Sequence, residues 1–119
     1  MYWKDLKVWK ESHELVIRIY KETAAIPDSE KYAMTSQIKR AAQSVPANIV
    51  EGHSRHSSKE FIHFLYQARG SLEELRYFLL LANDLRYISQ AIYNSLEEDA
   101  LAINKMLNSL ISSIKRKIQ

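Results

Sequence analysis

The sequence contains no cysteine, and glycine and proline occur only twice each. The absence of cysteine excludes disulfide scaffolds, thiolate zinc sites, iron–sulfur clusters and cysteine nucleophiles. Scarce glycine and proline argue against an all-β fold, because such folds need many turns. No apolar run approaches the roughly 20 residues that cross a bilayer, and the N-terminus has no apolar signal core. We therefore expect a cytoplasmic protein that does not partner with a membrane.

The remaining composition is that of one globular domain, 1–119, with 46% apolar and 26% charged residues. Apolar spacing predicts four helices, over about 3–24, 29–51, 58–85 and 89–117. Because the connections are short, we predict an all-α fold, an antiparallel up-down four-helix bundle. Pro46 predicts a kink or restart in the second helix, and Gly52 its end. Ser57 and Ser89 are the expected N-caps of the third and fourth helices.

The apolar stripes are wider than a monomeric bundle of this size needs. In the first helix we expect one inner face, made by Leu6, Trp9, His13, Val16, Tyr20 and Thr23. Further apolar residues lie outside the main stripes of the third and fourth helices: Ile62, Tyr66, Tyr77, Phe78, Leu80, Ile111 and Ile118. Because contiguous exposed apolar patches usually mark interfaces, we predict self-association.

Basic residues cluster at two places in a chain of net charge +3 and isoelectric point about 9.1. Lys4, Lys7 and Lys10 recur at helical intervals near the start. The second group closes the sequence and consists of Lys115, Arg116 and Lys117. These six are our candidates for phosphate contacts in a nucleic acid. The alternative is that they form a solvated helix face and a solvated tail.

Catalytic patterns are weak in this sequence. Glu60 and His63 have the Glu-x-x-His spacing of di-iron bundles, but no second copy follows, and His53 and His56 lie in a loop. No arginine and histidine have the spacing found in some small helical RNases, and no phosphate loop or nucleophile elbow is present. We therefore expect no catalytic residue, no metal and no cofactor.

A dense polar cluster flanks the turn between the second and third helices. Its members are Arg40, Ser44, Asn48, Glu51, Arg55, Arg69 and Glu74. Arg40, Ser44 and Asn48 are four residues apart and share one helix face. One interpretation is a structural network that fixes helix register or subunit contacts, and the other is a site for a ligand or nucleic acid. Gly70, inside the third helix, is expected to mark the close approach of a neighbouring helix.

Several strings of the sequence match a known pattern. They are Asp5-Leu6-x-Val8-Trp9, Gln37-x-x-Arg40-Ala41, Ser44-Val45-Pro46-Ala47-Asn48-Ile49-x-Glu51-Gly52, Arg55, and Phe64-Leu65-x-x-Ala68-Arg69-Gly70-Ser71-x-x-Glu74-Leu75. Over about residues 5–88 the chain resembles the 23S rRNA intervening-sequence proteins, a bacterial family that includes the accessory variability determinant of diversity-generating retroelements. Val50 departs from the family, which usually has alanine there.

The resemblance implies a left-handed up-down bundle that assembles into a homopentamer, with no enzymatic activity. For the retroelement branch it implies association with a reverse transcriptase and nucleic acid. It assigns no chemical role to the polar cluster. We therefore expect a non-enzymatic oligomer that binds RNA or a ribonucleoprotein through pooled basic charge. The alternative is a protein-interaction module, such as a reverse-transcriptase accessory protein, with no nucleic-acid role.

Overall fold

Four α-helices account for most of the chain in the computed structural model, which describes residues 2–118. They are α1 (Lys7–Glu22), α2 (Met34–His53), α3 (Ser58–Asp84) and α4 (Gln90–Lys117). Single 3₁₀ turns lie at Trp3–Asp5, Thr23–Ala25 and Asp28–Glu30, and no strand occurs within residues 2–118. The expected all-α class with four helices is confirmed. Residues 1 and 119 of the predicted domain lie outside the described range.

The four helices surround one apolar core. The most extensive contact is between α2 and α3, while α1 packs against α2, α3 against α4, and α4 against α1. The largest apolar side chains that are almost fully shielded from solvent are Ile19, Ile38, Ile49, Leu65, Leu72, Leu75, Leu79, Leu96, Ile103, Leu107 and Val45. Every helix contributes to this list, so the core extends along the whole bundle.

Two helices begin later than the sequence predicts. α1 starts at Lys7 because Leu6 is extended, with φ −72° and ψ 124°, and separates the helix from the preceding 3₁₀ turn. α2 starts at Met34 because Ala33, with φ −120° and ψ −99°, leaves the helical region. The Glu30 carboxylate accepts a hydrogen bond from the Met34 N–H at 3.3 Å. It replaces one of the backbone acceptors that the first turn of a helix lacks.

Both serine N-caps are confirmed. The Ser57 hydroxyl oxygen accepts the Glu60 N–H, and the Ser89 hydroxyl oxygen accepts the Ile92 N–H, each at 3.2 Å. At the other end of α3, Arg86 takes the left-handed conformation with φ 63°. The Tyr87 N–H then reaches the Ala82 carbonyl at 2.8 Å. This is a Schellman ending with arginine at the position where glycine is usual.

Gly52 does not end α2, and that prediction is wrong. The helix continues to His53, and Gly52 is buried within it. A Cβ atom on Gly52 would lie 2.7 Å from the Phe64 Cβ and 3.0 Å from the Phe61 Cδ1. The glycine is therefore required by the close approach of α2 and α3. Pro46 is buried inside α2, which runs through it without the predicted restart.

The inner face of α1 also differs from the prediction. The buried residues are Val8, Ser12, Leu15 and Ile19 on the helix, with Thr23 just after it. Tyr20 and His13 are exposed, and His13 stacks on Trp9 with ring centroids 5.0 Å apart. Ser12 fits the core because its hydroxyl donates to the Val8 carbonyl at 2.7 Å. This bond within the helix satisfies the only polar group of the side chain.

The wide apolar stripes are only partly exposed. Ile62 and Ile111 are buried within this one chain, whereas Tyr77, Leu80 and Ile118 are exposed. Gly70 lies on an exposed part of α3, and a Cβ there would meet nothing within 4 Å. The predicted close approach at Gly70 is therefore not made by another helix of the same chain.

Candidate nucleic-acid interface

Four of the seven residues of the predicted polar cluster lie on the seam between α2 and α3. The Arg40 guanidinium donates to the Glu74 carboxylate at 2.7 Å, and it also bonds the side-chain oxygen of Gln37. One turn further along α2, the hydroxyls of Ser44 and Ser71 are 2.8 Å apart. The Asn48 amide donates to the carbonyl of Ser44 at 2.8 Å and to its hydroxyl at 3.0 Å. The Arg40–Glu74 and Ser44–Ser71 contacts join the two helices at adjacent levels, whereas the bonds of Gln37 and Asn48 stay within α2.

The other three residues of the cluster lie elsewhere. Glu51 and Arg55 pair with each other at the end of α2, and the Arg55 guanidinium lies 4.9 Å from the Phe64 ring centroid. Arg69 points to α4, where it donates to the Asn108 side-chain oxygen at 2.8 Å. The cluster is therefore three separate groups of contacts rather than one network.

Sequence reasoning missed the partners Ser71 and Asn108. On α3, Ser71 lies three residues before Glu74, and on α2, Ser44 lies four residues after Arg40. Each serine is therefore about one helical turn from its charged neighbour. Matching these two rows on facing helices would have suggested the Ser44–Ser71 contact. No comparable pattern in the sequence indicates the contact between Arg69 and Asn108.

The predicted phosphate-binding residues lie at the start of the chain and at the end of α4, and all six are exposed. Lys7 and Lys105 line one groove between α1 and α4. Lys105 and Arg116 line a second groove along α4, together with Asn108, Ser109 and Ser112. Lys105 thus connects the two predicted basic groups. We call Lys7, Lys105 and Arg116 the basic strip.

Lys105 was not among the predicted site residues. It is separated from Arg116 by 11 residues, and Ser109 and Ser112 lie between them at helical intervals. Residues at such spacing share one helix face, so the periodicity of α4 was enough to predict that Lys105 and Arg116 lie on the same face. Its position beside Lys7 depends on how α1 and α4 pack, which the sequence pattern does not specify.

Part of the positive charge also has a structural use. Lys115, Arg116 and Lys117 occupy the last turn of α4, where cations interact favourably with the helix dipole. The Lys115 ammonium and the Arg69 guanidinium lie 5.2 and 4.7 Å from the Tyr66 ring centroid. Lys4 lies 5.7 and 5.6 Å from the rings of Tyr2 and Trp3. These contacts hold cationic groups near aromatic surface without neutralising them.

The groups with shifted pKa values lie away from the basic strip, where α3 meets α4. Side-chain hydrogen bonds to Glu97 and Glu73 raise the pKa of Arg76 above its ordinary value. The Arg76 and Glu97 side chains are 30% and 20% exposed, so water screens this pair less than the others. Burial raises the pKa of Tyr93, which lies nearby, above its usual 10.0.

The residues considered for metal binding do not converge. His53 packs edge-on against Phe61, while His63 hydrogen-bonds the side chain of Gln67 at 2.9 Å. Glu60 bonds the Ser57 hydroxyl at 3.3 Å. Between residues 2 and 118, no three histidine or acidic side chains form a group that could hold a metal ion. Over the same span, no helix combines the length and the apolar character needed to cross a membrane.

Comparison with known proteins identifies the family. The sequence model of the family described as 23S rRNA-intervening sequence protein matches residues 4–109. A crystal structure from Bacteroides thetaiotaomicron, of a protein with unknown function from the S23 ribosomal protein family, is similar at a TM-score of 0.81. It is 32% identical, and the alignment covers 87% of this chain and 97% of that one. No curated protein matches this chain significantly. From the extent of the family match and the agreement in fold, we conclude that the chain belongs to the 23S rRNA-intervening sequence protein family.

Proposed function

We propose that this protein is a non-enzymatic, homo-oligomeric bundle that binds RNA through pooled basic charge. The observation that carries the proposal is the basic strip, because Lys105 joins the groups at Lys7 and Arg116 across two helices. The family name refers to 23S rRNA, which makes a structured ribosomal RNA the first ligand to test. A cytoplasmic location follows from such a partner.

An antiparallel up-down arrangement is part of the proposal, and the order of contacts supports it. Moving along α2 from Arg40 to Ser44 and Gly52, the partners on α3 run backwards, from Glu74 to Ser71 and Phe64. Between α3 and α4, Arg69 contacts Asn108 and Arg76 contacts Glu97, again in reversed order. Such pairings are expected of neighbouring helices joined by short connections.

Assembly into a pentamer is the second part of the proposal. Gly70 supports it, because a glycine in the middle of an exposed helix costs about 1 kcal/mol unless something uses its small size. Tyr77 lies seven residues further along α3, on the same face, and is 57% exposed. A second copy packed against this face would explain both residues. We therefore propose that Gly70 and Tyr77 lie in the subunit interface.

Assembly also explains how a weakly basic chain binds a polyanion. One protomer carries a net charge of +3, whereas five would carry about +15, and concentrated charge strengthens attraction to phosphates. Contacts to phosphates position a protein without reading bases. Binding is therefore expected to tolerate changes in the RNA sequence. It should weaken steeply with added salt, because the cations of the salt compete with the basic side chains for the phosphates.

The test compares two variants with equal loss of charge. Lys105→Gln/Arg116→Gln removes two cations of the basic strip, and Lys21→Gln/Arg86→Gln removes one lysine and one arginine elsewhere. The dissociation constant for a ribosomal RNA hairpin is measured against salt by fluorescence anisotropy. The strip variant should lower the slope of log affinity against log salt by about 2 for each protomer that contacts RNA, and the control should retain it. Equal effects of both variants would refute the basic strip.

The competing function is a protein-interaction module, for example one that assists a reverse transcriptase. The observation that favours it is the apolar lining of the groove beside Lys7. That lining is made by Leu6, Val8, Ala102, Met106 and Leu110. Binding of a protein there would persist at high salt, because screening affects charges and not apolar contacts. An RNA complex held by the basic strip would dissociate under the same conditions.

A further inference from the structure

A third groove combines aromatic rings and cations between the end of α1 and the first turns of α2. Its residues are Tyr20, Lys31, Tyr32, Thr35, Ser36, Lys39, Arg40 and Gln43. The volume is about 410 Å³, within the range of small-molecule sites. None of these residues belongs to the basic strip. We call this the tyrosine groove.

The two tyrosines differ in how firmly they are held. The Gln43 amide donates to the Tyr20 hydroxyl at 2.6 Å, and the Lys39 ammonium lies 4.5 Å from the Tyr20 ring centroid. These contacts fix the Tyr20 ring against α2. Tyr32 is 90% exposed, with the Lys31 ammonium 5.5 Å from its ring centroid. Tyr32 therefore presents an almost bare aromatic face beside a cation.

The charge of the tyrosine groove is available to an anion. Arg40 is engaged by Glu74, but within residues 2–118 neither Lys31 nor Lys39 forms a salt bridge with a carboxylate. Thr35 and Ser36 add hydroxyl groups to the lining of the groove. Planar aromatic surface next to unneutralised cations is the combination that proteins use for single-stranded nucleic acids, where bases stack and phosphates pair with the cations.

We propose that the tyrosine groove binds unpaired nucleotides of RNA. One base stacks on Tyr32, and the adjoining phosphates contact Lys31 and Lys39. The choice of RNA as the nucleic acid rests on the proposed function, while the groove itself rests on its own geometry. The basic strip would then attract RNA of any form, and the tyrosine groove would distinguish single strands from duplexes. Stacking does not select a base, so the groove would prefer unpaired RNA without reading its sequence.

The test uses the full chain with two RNA probes, a uridylate oligomer of about ten nucleotides and a duplex of the same length. Tyr32→Ala removes the exposed ring and is expected to leave the fold intact, because the residue is 90% exposed. Leu85→Ala is the control, since it removes a side chain that is 49% exposed, follows α3 and lies outside the tyrosine groove, the basic strip and the proposed subunit interface. Tyr20→Phe removes the hydroxyl bond to Gln43 but retains the aromatic ring.

Tyr32→Ala should weaken binding of the single strand at least about fivefold and leave duplex binding unchanged. Leu85→Ala and Tyr20→Phe should leave the affinity for both probes within about twofold of the wild type. Lys39→Gln should weaken binding of the single strand, and the loss of affinity should be larger at low salt than at high salt, because salt screens the charge of Lys39. An unchanged affinity of Tyr32→Ala for the single strand, or an equal loss for both probes, would overturn the proposal.

The outcomes also separate this site from the basic strip. If the strip variant Lys105→Gln/Arg116→Gln loses both probes while Tyr32→Ala loses neither, the tyrosine groove is refuted and the proposed function stands. If Tyr32→Ala loses the single strand while the strip variant binds normally, the groove stands and the basic strip is refuted. A wild-type protein that binds neither probe overturns both.

Discussion

Replacing a glycine with alanine should change the folding stability of one protomer in opposite directions at Gly52 and at Gly70. In Gly52→Ala the new Cβ would lie 2.7 Å from the Phe64 Cβ and 3.2 Å from the Phe61 carbonyl oxygen. These atoms lie close to the backbone of α3, so the two helices must separate. Overpacking costs about 1–3 kcal/mol, and a contact of 2.7 Å with a Cβ atom, which no side-chain rotation relieves, belongs to the upper part of that range, about 2–3 kcal/mol. The better helix propensity of alanine returns about 1 kcal/mol. We expect a net loss of about 1–2 kcal/mol in the free energy of unfolding.

Gly70→Ala is the matched control for this prediction. Within its own chain this Cβ would meet nothing within 4 Å, so the folding of one protomer gains only helix propensity, up to about 1 kcal/mol, while the proposed subunit contact at Gly70 should weaken. Urea denaturation, followed by circular dichroism at several protein concentrations, measures both changes and separates folding from assembly. Gly52→Ala should lower the midpoint at every protein concentration. Gly70→Ala should raise it at low protein concentration, where the chain is monomeric, and this gain should shrink as the concentration rises and assembly contributes. A Gly52→Ala variant as stable as the wild type would refute the close approach of α2 and α3.

Three further predictions concern single side chains. Glu97→Gln should destabilise the fold by about 1.5–3 kcal/mol in urea denaturation, because it weakens a charged hydrogen bond from Arg76 that is shielded from water. Glu74→Gln should cost less than about 1 kcal/mol, because its ion pair with Arg40 lies at the solvent-exposed seam. Equal losses would contradict the difference in burial. Ser89→Ala should cost about 1 kcal/mol by removing the N-cap of α4, and an unchanged melting temperature would contradict this. Because burial raises the pKa of Tyr93 in the folded state, the unfolded chain loses this proton first, so its contribution to stability is present below pH 10.0 and declines above it. As the pH rises above 10.0, the melting temperature should therefore fall less in Tyr93→Phe than in the wild type. Identical profiles would contradict the raised pKa of Tyr93.

Local signals in the sequence identified much of the fold. The N-caps at Ser57 and Ser89 are formed as predicted, because a cap depends only on residues within one turn. The fourth helix was predicted from apolar spacing, and one periodic set of apolar residues, including Leu96, Ile103 and Leu107, is buried along it.

The errors arose where two interpretations of a local pattern compete. α1 carries two apolar stripes, and the buried one includes Ser12, whose hydroxyl bonds its own helix instead of a distant partner. Gly52 resembled a helix stop because a glycine that ends a helix and one that admits a neighbouring helix look alike in sequence. Only the packing of Phe61 and Phe64 against it separates the two.

The candidate site was harder to predict than the fold. The basic residues at both ends of the chain were visible as runs, but Lys105 joins them only because α1 and α4 pack side by side. The tyrosine groove likewise depends on the turn before α2, which brings Tyr32 into the same groove as Tyr20. Neither arrangement follows from helical periodicity, because each involves residues of different elements.

Molar mass by light scattering behind size exclusion, with and without a ribosomal RNA hairpin, is the most direct test of an oligomer that binds RNA by charge. Runs at about 50 and 200 mM salt should both give the mass of five protomers for the protein alone. The hairpin should add to that mass at the lower salt concentration and be lost at the higher one. A monomer, or a pentamer that never takes up the hairpin at low salt, would contradict binding through pooled charge.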